Sequence, residues 1–199
     1  MIVDRRDPIV ESDDDDDESN DQDEMVVSHG GEMTGCQIMI LGTNLHSFNY
    51  VGNLRTDFFL CNSSPLVYAS LFMYSTSRGA SYRAHKLLRK LTSMKLLIIH
   101  PTTFEACMAI TLSAYDEEQD NWTLEPVPPS FSTHLKTIDI WRFIGSDDEL
   151  HVVKVLLRTA TVLEKMRFKF FALFINQIEL YEEIKKFPKA SPNCEIGLL

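Results

Sequence analysis

The sequence predicts an α/β fold in which short parallel strands alternate with helices. Three observations predict it: a six-residue apolar pattern that recurs along the chain, helix-start signals between its copies, and acidity confined to one end. The 199 residues are 44 % hydrophobic, which is enough apolar material for a domain with a buried core. The composition therefore indicates a folded domain that carries a separate charged segment.

The charge of the chain is concentrated near its amino end. Residues 1–32 hold 13 acidic residues and two arginines, a net charge of −11, whereas the whole chain carries −10. The run Asp13–Asp17 followed by Glu18 repels itself and lacks apolar side chains. Residues 1–32 are therefore predicted to be a disordered acidic tail. The remainder is nearly neutral, which argues against a domain that binds nucleic acid through a strong basic excess.

One apolar pattern recurs: leucine, two residues, an apolar residue, one residue, an apolar residue. Its copies begin 21, 25, 44 and 28 residues apart, and 44 is about two periods. Leucine-rich repeats have periods of roughly 20–29 residues and a core of this form. Residues 33–125 are therefore predicted to form a short solenoid of degenerate leucine-rich repeats, with parallel strands and intervening helices. The copies are Leu45–Tyr50, Leu66–Leu71, Leu91–Leu96, Leu135–Ile140 and Leu163–Phe168.

Helix-start signals fall between these strands. Apolar residues at helical spacing predict a helix over Ser81–Leu91, and Thr102–Glu105 matches a capping box that would open a short helix through Ile110. The clearest signal is Ser146 with Glu149. The Ser146 hydroxyl accepts a hydrogen bond from the third helical N–H group, while the Glu149 carboxylate reaches back to the Ser146 amide. These two residues are predicted to cap a helix, which is a structural role.

The last third of the chain is predicted to contain a right-handed βαβ unit with parallel strands. It is followed by a second helix and a last strand, and the proline-rich stretch 126–129 separates it from the repeats. Residues 126–199 thus form a C-terminal unit that closes the solenoid. The predicted elements are a strand over 135–143, a helix over 147–164, a strand over 166–170, a helix over 175–186 and a strand within 194–199.

The C-terminal unit resembles the FBD domain of plant F-box proteins. Residues 122–132 resemble the lead-in that precedes this domain, and residues 45–71 and 91–105 resemble the leucine-rich repeats upstream of it. The residues that carry the FBD resemblance are His134–Ile140, Gly145, Glu149–Leu150, Val152–Leu157, Ala160, Val162–Met166, Phe187–Pro192 and Cys194.

The resemblance implies the target-binding part of an F-box/FBD ubiquitin-ligase receptor. An F-box, which docks a Skp-type adaptor, begins with a Leu-Pro segment, and residues 1–32 contain no leucine. A Skp-type adaptor is therefore not expected as a partner. We expect a non-catalytic protein-interaction module that binds an unknown protein target. The alternative is a truncated paralogue that is non-functional or competes with a full-length receptor.

Candidate partner-binding residues fall into two groups. Trp122 and Trp141 are candidates because tryptophan is enriched at the energetic centres of interfaces, and Arg142 lies beside Trp141. The basic segment 82–95, with Arg89 and Lys90, is either a polar helix face, a docking site for the chain's own acidic run, or a phosphate-binding helix. The last interpretation would make the chain a nucleic-acid-binding regulator.

No motif in the sequence indicates catalysis, a cofactor or a metal. The cysteines at positions 36, 61, 107 and 194 are too far apart for a paired metal or redox motif. No two histidines have the spacing of a helical zinc site. The sequence shows neither a secretory signal nor an apolar run of about 18 residues that could span a membrane. We expect a non-enzymatic protein of the cytoplasm or nucleus, without catalytic residues, cofactors or membrane contact.

Overall fold

The computed structural model describes residues 2–3, 23–28, 37–41, 44–61, 66–74, 77–100, 102–103, 127–171 and 177–199. The strands are β1 (Ile2–Val3), β2 (Asp23–Ser28), β3 (Gln37–Leu41), β4 (Leu45–Gly52), β5 (Asp57–Cys61), β6 (Tyr68–Met73), β7 (Leu96–Ile99), β8 (Thr137–Phe143), β9 (Lys165–Phe170) and β10 (Glu195–Leu198). The helices are α1 (Arg78–Lys90), α2 (Pro129–Thr133), α3 (Asp147–Thr159) and α4 (Gln177–Lys185).

Seven of these strands form one parallel sheet in the order β10-β9-β8-β7-β6-β4-β2. Its strands thus lie side by side in chain order, except that β3 and β5, which fall between them in the chain, are not part of it. Those two strands pair with each other in a smaller sheet, in which β1 adds an antiparallel edge. The predicted α/β class with parallel strands and helices is confirmed, whereas the leucine-rich solenoid stays a prediction.

The recurring apolar pattern corresponds to three rows of buried side chains that cross the sheet. The strand register aligns the second and third positions of each copy, and the first position lies three residues before the second. All of these side chains are buried. The rows are Leu45, Leu66, Met94, Leu135, Leu163; then Phe48, Ala69, Leu97, Ile138, Met166; and then Tyr50, Leu71, Ile99, Ile140, Phe168.

The third copy of the pattern was predicted three residues too early. The letters of Leu91–Leu96 fit the pattern, but the register aligns Met94, Leu97 and Ile99 with the neighbouring strands. Leu91 is instead the C-cap residue of α1, and it is buried at that position. A short apolar pattern cannot distinguish a helix end from a strand start, since both place leucine in the core.

Two different layers cover the buried face of the sheet. Phe58 of β5 packs edge-on against both Phe48 and Tyr50 of β4, with ring centroids 5.6 and 5.4 Å apart. Towards β10, helices take the place of the small sheet, and buried residues of α1, α3 and α4 join the same core. Each helix contributes apolar side chains at helical spacing, for example Leu88, Val153 and Ile184.

Some predicted boundaries differ from those in the structure. Helix α3 ends at Thr159 rather than at Glu164, because Ala160 leaves the helical conformation and frees Leu163 to take its place in the buried rows. Strands β1 and β2 lie within the segment predicted to be disordered, and β2 contains the apolar run at 25–27 that favours a strand. The rest of that segment and most of the helix predicted at 102–110 lie outside the described residues.

Candidate interaction surface on the open face of the sheet

The face of the large sheet opposite the helices carries partly exposed side chains. Alternate residues of a strand point to opposite faces, and the residues between the buried rows are half-buried or exposed. Near the carboxyl ends of the strands, Phe72 and His100 directly follow the paired residues Leu71 and Ile99, and their rings are in contact. Ile99 pairs with Ile140, so the next residue, Trp141, follows His100 across the sheet, and Trp141 pairs with Lys169. These four residues thus form a row on the open face. The Trp141 side chain thus lies on the sheet face opposite to that of Ile138 and Ile140, as its position in the strand predicts.

The rings in this row contact one another or a cation. The ring centroids of Phe72 and His100 lie 4.7 Å apart, and those of Phe72 and Tyr74 lie 5.5 Å apart, both in edge-on geometry. The Lys169 ammonium lies 4.3 Å from the centroid of Trp141, which is within cation–π range. Tyr74 is 68 % exposed and Trp141 is 39 % exposed, so this row offers rigid aromatic area to a partner.

Arg142 reaches the solvent because of a β-bulge in β8. The register shifts between Trp141 and Phe143, and Arg142 is the extra residue, with a φ of +60°. In a regular strand, residue 142 would point into the core after Ile140. The bulge instead gives the core position to Phe143, which is fully buried, and exposes both Trp141 and Arg142. The Arg142 guanidinium then lies 5.2 Å from the ring centroid of Phe171.

His100 contributes a neutral ring to the surface. Burial, and secondarily the charge of Arg142, lowers the pKa of His100 below its ordinary value. Its Nδ1 atom lies 2.8 Å from the Thr102 hydroxyl, and that hydroxyl donates to the carbonyl of Met73. The Thr102 oxygen is thus placed to accept the Nδ1 proton, which leaves Nε2 as the acceptor atom of the ring.

A forked ion pair occupies the positions of the open face next to this row. Arg167 donates from Nε and Nη2 to the two carboxylate oxygens of Asp139, each over 2.7 Å. The Asp139 side chain is 5 % exposed, and the hydrogen bonds to it raise the pKa of Arg167. Gly197 lies beside the Arg167 stem, where a Cβ atom would meet its Cγ at 3.6 Å. The carboxylate of Asp139 is therefore neutralised within the sheet.

The junction that follows β8 is fixed by the predicted capping residues. The Ser146 hydroxyl accepts from the Glu149 amide over 3.3 Å, and Glu149 Oε2 accepts from the amides of Ile144 and Gly145 over 2.8 and 2.6 Å. Glu149 thus reaches beyond the helix into the preceding loop. Burial raises the pKa of Glu149, against the effect of the amides that hydrogen-bond to it. Gly145 has a φ of +79°, and a Cβ atom there would overlap the side chain of Leu180.

The structure separates the two groups of predicted partner-binding residues. Trp141 and Arg142 lie on the open face, whereas Arg89 and Lys90 end α1 on the opposite side of the sheet. Lys90 packs 4.1 Å from the ring centroid of Phe59 in β5, and Arg89 is exposed. Trp122 lies outside the described residues.

Phe72, His100 and Lys169 belong to this surface but were not predicted from the sequence. Their alternation with buried residues indicates a strand, yet only the pairing of four distant strands brings them together. In the described part of the chain, no group of three His, Cys, Asp or Glu residues is arranged to hold a metal ion. No helix of that part is long and apolar enough to cross a membrane.

Comparison with known proteins gives one match. Residues 124–168 match the family model FBD, which supports the view that this is an FBD-domain protein. Neither a curated protein nor a solved structure matches the chain. The matched range includes α2, β8, α3 and β9 up to Phe168, and thus contains Trp141 and Arg142.

Proposed function

We propose that this protein is a non-catalytic interaction module that binds a polypeptide partner on the open face of its parallel sheet. The observation that carries this proposal is the position of the FBD match, which covers the bulged strand with the exposed Trp141 and Arg142. An FBD domain suggests a protein-interaction module of the F-box/FBD family. Exposed tryptophan and arginine are the residue types most enriched at the energetic centres of interfaces.

The finer proposal is that the sheet is an array of degenerate leucine-rich repeats that presents a ubiquitin-ligase target. Its support is the repeated geometry between neighbouring strands. The carbonyl groups of Val67, Lys95 and Lys136 each accept two N–H groups from the next strand, at equivalent positions of successive repeats. A stacked array of this kind exposes a long surface made of strands, which suits the binding of an extended partner.

Site-specific photo-crosslinking tests the proposal. A photoreactive amino acid is placed in the full chain either at Trp141 or at Arg89, which lies on the opposite side of the sheet. We expect one recurring polypeptide to be crosslinked from position 141 and not from position 89. Adding Tyr74→Ala to the chain labelled at position 141 should reduce that yield, because Tyr74 packs against Phe72 and is more exposed than Trp141.

Equal crosslinking from both positions would contradict a binding site on the open face. Crosslinking from position 89 alone would instead favour the basic segment 82–95. Recovery of nucleic acid from that position would support the regulator interpretation.

A further inference from the structure

The open face carries a compact group of cations and rings, which we call the cation–aromatic patch. It consists of Phe72, Tyr74, Trp141, Arg142, Lys169 and Phe171. Its two cations are exposed, and each lies over an aromatic ring rather than beside an acid. Among the described residues, no carboxylate lies within 4.0 Å of Arg142 or Lys169. The patch therefore presents positive charge and apolar area together.

Several other cations of the molecule are already paired. Lys86 contacts Asp57, Lys136 contacts Glu164, and Lys185 contacts Glu182. On the open face itself, Asp139 is fully engaged by Arg167, so it does not offset the charge of the patch. Asp147 and Asp148 follow β8, but they lie in the first turn of α3, where the positive helix end stabilises them. Within the described residues, the charge of the patch is thus not offset by a carboxylate.

The backbone conformation of Arg142 also supports a binding role for the patch. A non-glycine residue in the left-handed conformation costs about 1–2 kcal/mol. Strain of this kind is retained where the surrounding structure holds it, and it is concentrated at functional sites. Here the strained residue is exposed, and its side chain extends the surface of the patch rather than filling the core.

We propose that the cation–aromatic patch binds an extended, acidic segment of the polypeptide partner. Carboxylates of that segment pair with Arg142 and Lys169, while its apolar side chains pack on Trp141 and Phe171. The row from Phe72 to Lys169 crosses four strands, about 14 Å, which is the span of roughly four extended residues. Two cations in a nearly neutral domain suit a short acidic segment better than a nucleic acid, which requires many phosphate contacts. This proposal rests on the proposed function.

Tryptophan fluorescence of the full chain tests this assignment. The chain contains two tryptophans, so Trp122→Phe leaves Trp141 as the only reporter. The probe is a synthetic peptide, Glu-Glu-Leu-Glu-Glu-Phe-Glu-Glu, and its control has glutamine in place of every glutamate. We expect the Trp141 emission to report at least tenfold tighter binding of the glutamate peptide than of the control peptide. This binding should weaken as salt rises.

The variant Arg142→Gly plus Lys169→Gln should weaken binding of the glutamate peptide at least tenfold. Glycine tolerates the backbone of residue 142, so this change removes charge without adding strain. The matched control, Arg89→Gln plus Lys186→Gln, removes two exposed charges from outside the open face and should change the Kd less than twofold. An equal loss in both variants would overturn the proposal, because attraction would then be general.

Three further outcomes would also overturn it. Tighter binding of a single-stranded DNA 12-mer than of the peptide would assign the patch to nucleic acid. At least tenfold tighter peptide binding after Asp13–Asp17 are changed to asparagine would assign it to the chain's own acidic segment. If the peptide does not bind but position 141 still crosslinks a polypeptide, the acidic chemistry is wrong while the proposed function stands.

Discussion

Two regions of the sheet use the same unusual backbone conformation for opposite purposes. Leu54, after β4, and Arg142, in β8, both have a positive φ, of +43° and +60°. Leu54 is buried, and its amide donates to the Tyr50 hydroxyl over 2.6 Å. Arg142 is exposed and forms part of the cation–aromatic patch. The strained residue near β4 thus fills the core, whereas the strained residue in β8 adds a side chain to the surface.

The layer behind each region explains this difference. Near β4, the small sheet packs against the large one through Phe58, and the connection after β4 must itself fill the core. Near β8, helix α3 covers the sheet, and the capped loop at Ile144–Gly145 connects strand and helix. Because α3 and Phe143 already fill the core there, the bulge leaves Arg142 free to face the solvent.

The largest expected effect is on the strand-backed region. Leu54→Ala should lower the free energy of unfolding by about 2–5 kcal/mol, because it leaves a cavity beside Tyr50 and keeps the positive φ. Urea unfolding at constant pH measures the effect. Arg142→Ala is the matched control at the other strained position and should cost less than about 0.5 kcal/mol. Similar losses of unfolding free energy at the two positions would contradict the view that Leu54 fills the core while Arg142 does not.

The next effect concerns the ion pair of the helix-backed region. Asp139→Asn should destabilise the protein by about 1–3 kcal/mol, because it removes the charge that the Arg167 fork meets. Adding Arg167→Gln to this variant should recover part of the loss, since no unpaired cation then remains over the sheet. Urea unfolding of both single variants and the double variant measures the coupling, and purely additive losses would argue against a direct interaction.

The pH dependence at Glu149 is a smaller effect. Because burial raises its pKa in the folded protein, the folded state binds this proton more tightly than the unfolded state does. The resulting stability is complete below the ordinary glutamate pKa and is lost as the pH rises through the raised pKa. The stability of the unchanged protein relative to Glu149→Gln should therefore fall as the pH rises from the ordinary glutamate pKa, about 4.3, through the raised pKa. A relative stability that rises over this range would show that the amides outweigh burial.

The sequence predicted features that depend on neighbouring residues. The βαβ unit has its predicted order, and the hydroxyl of Ser146 and the carboxylate of Glu149 lie at the amino end of α3. Such local patterns reflect the geometry of one helix turn or one strand, which a single segment encodes.

The features that the sequence did not reveal depend on distant pairing. The alignment of Met94 rather than Leu91 with Leu66 follows from hydrogen bonds between strands, and the apolar pattern of the sequence does not reveal it. The bulge at Arg142 is likewise visible only once β9 is paired with β8. Phe72 and Lys169 join Trp141 across the sheet, from strands that lie far apart in the chain.

Arg142→Gly is the most direct test of the surface role of Arg142, because stability and binding should change in opposite directions. Removing the strain should raise the free energy of unfolding by up to about 1 kcal/mol, because the greater freedom of glycine in the unfolded chain offsets part of the gain. Removing the guanidinium should at the same time weaken binding of the glutamate peptide at least threefold. The measurement is the Kd and the urea midpoint of this one variant beside the unchanged protein. Loss of stability with unchanged binding would contradict this role, because Arg142 would then stabilise the fold as Leu54 does.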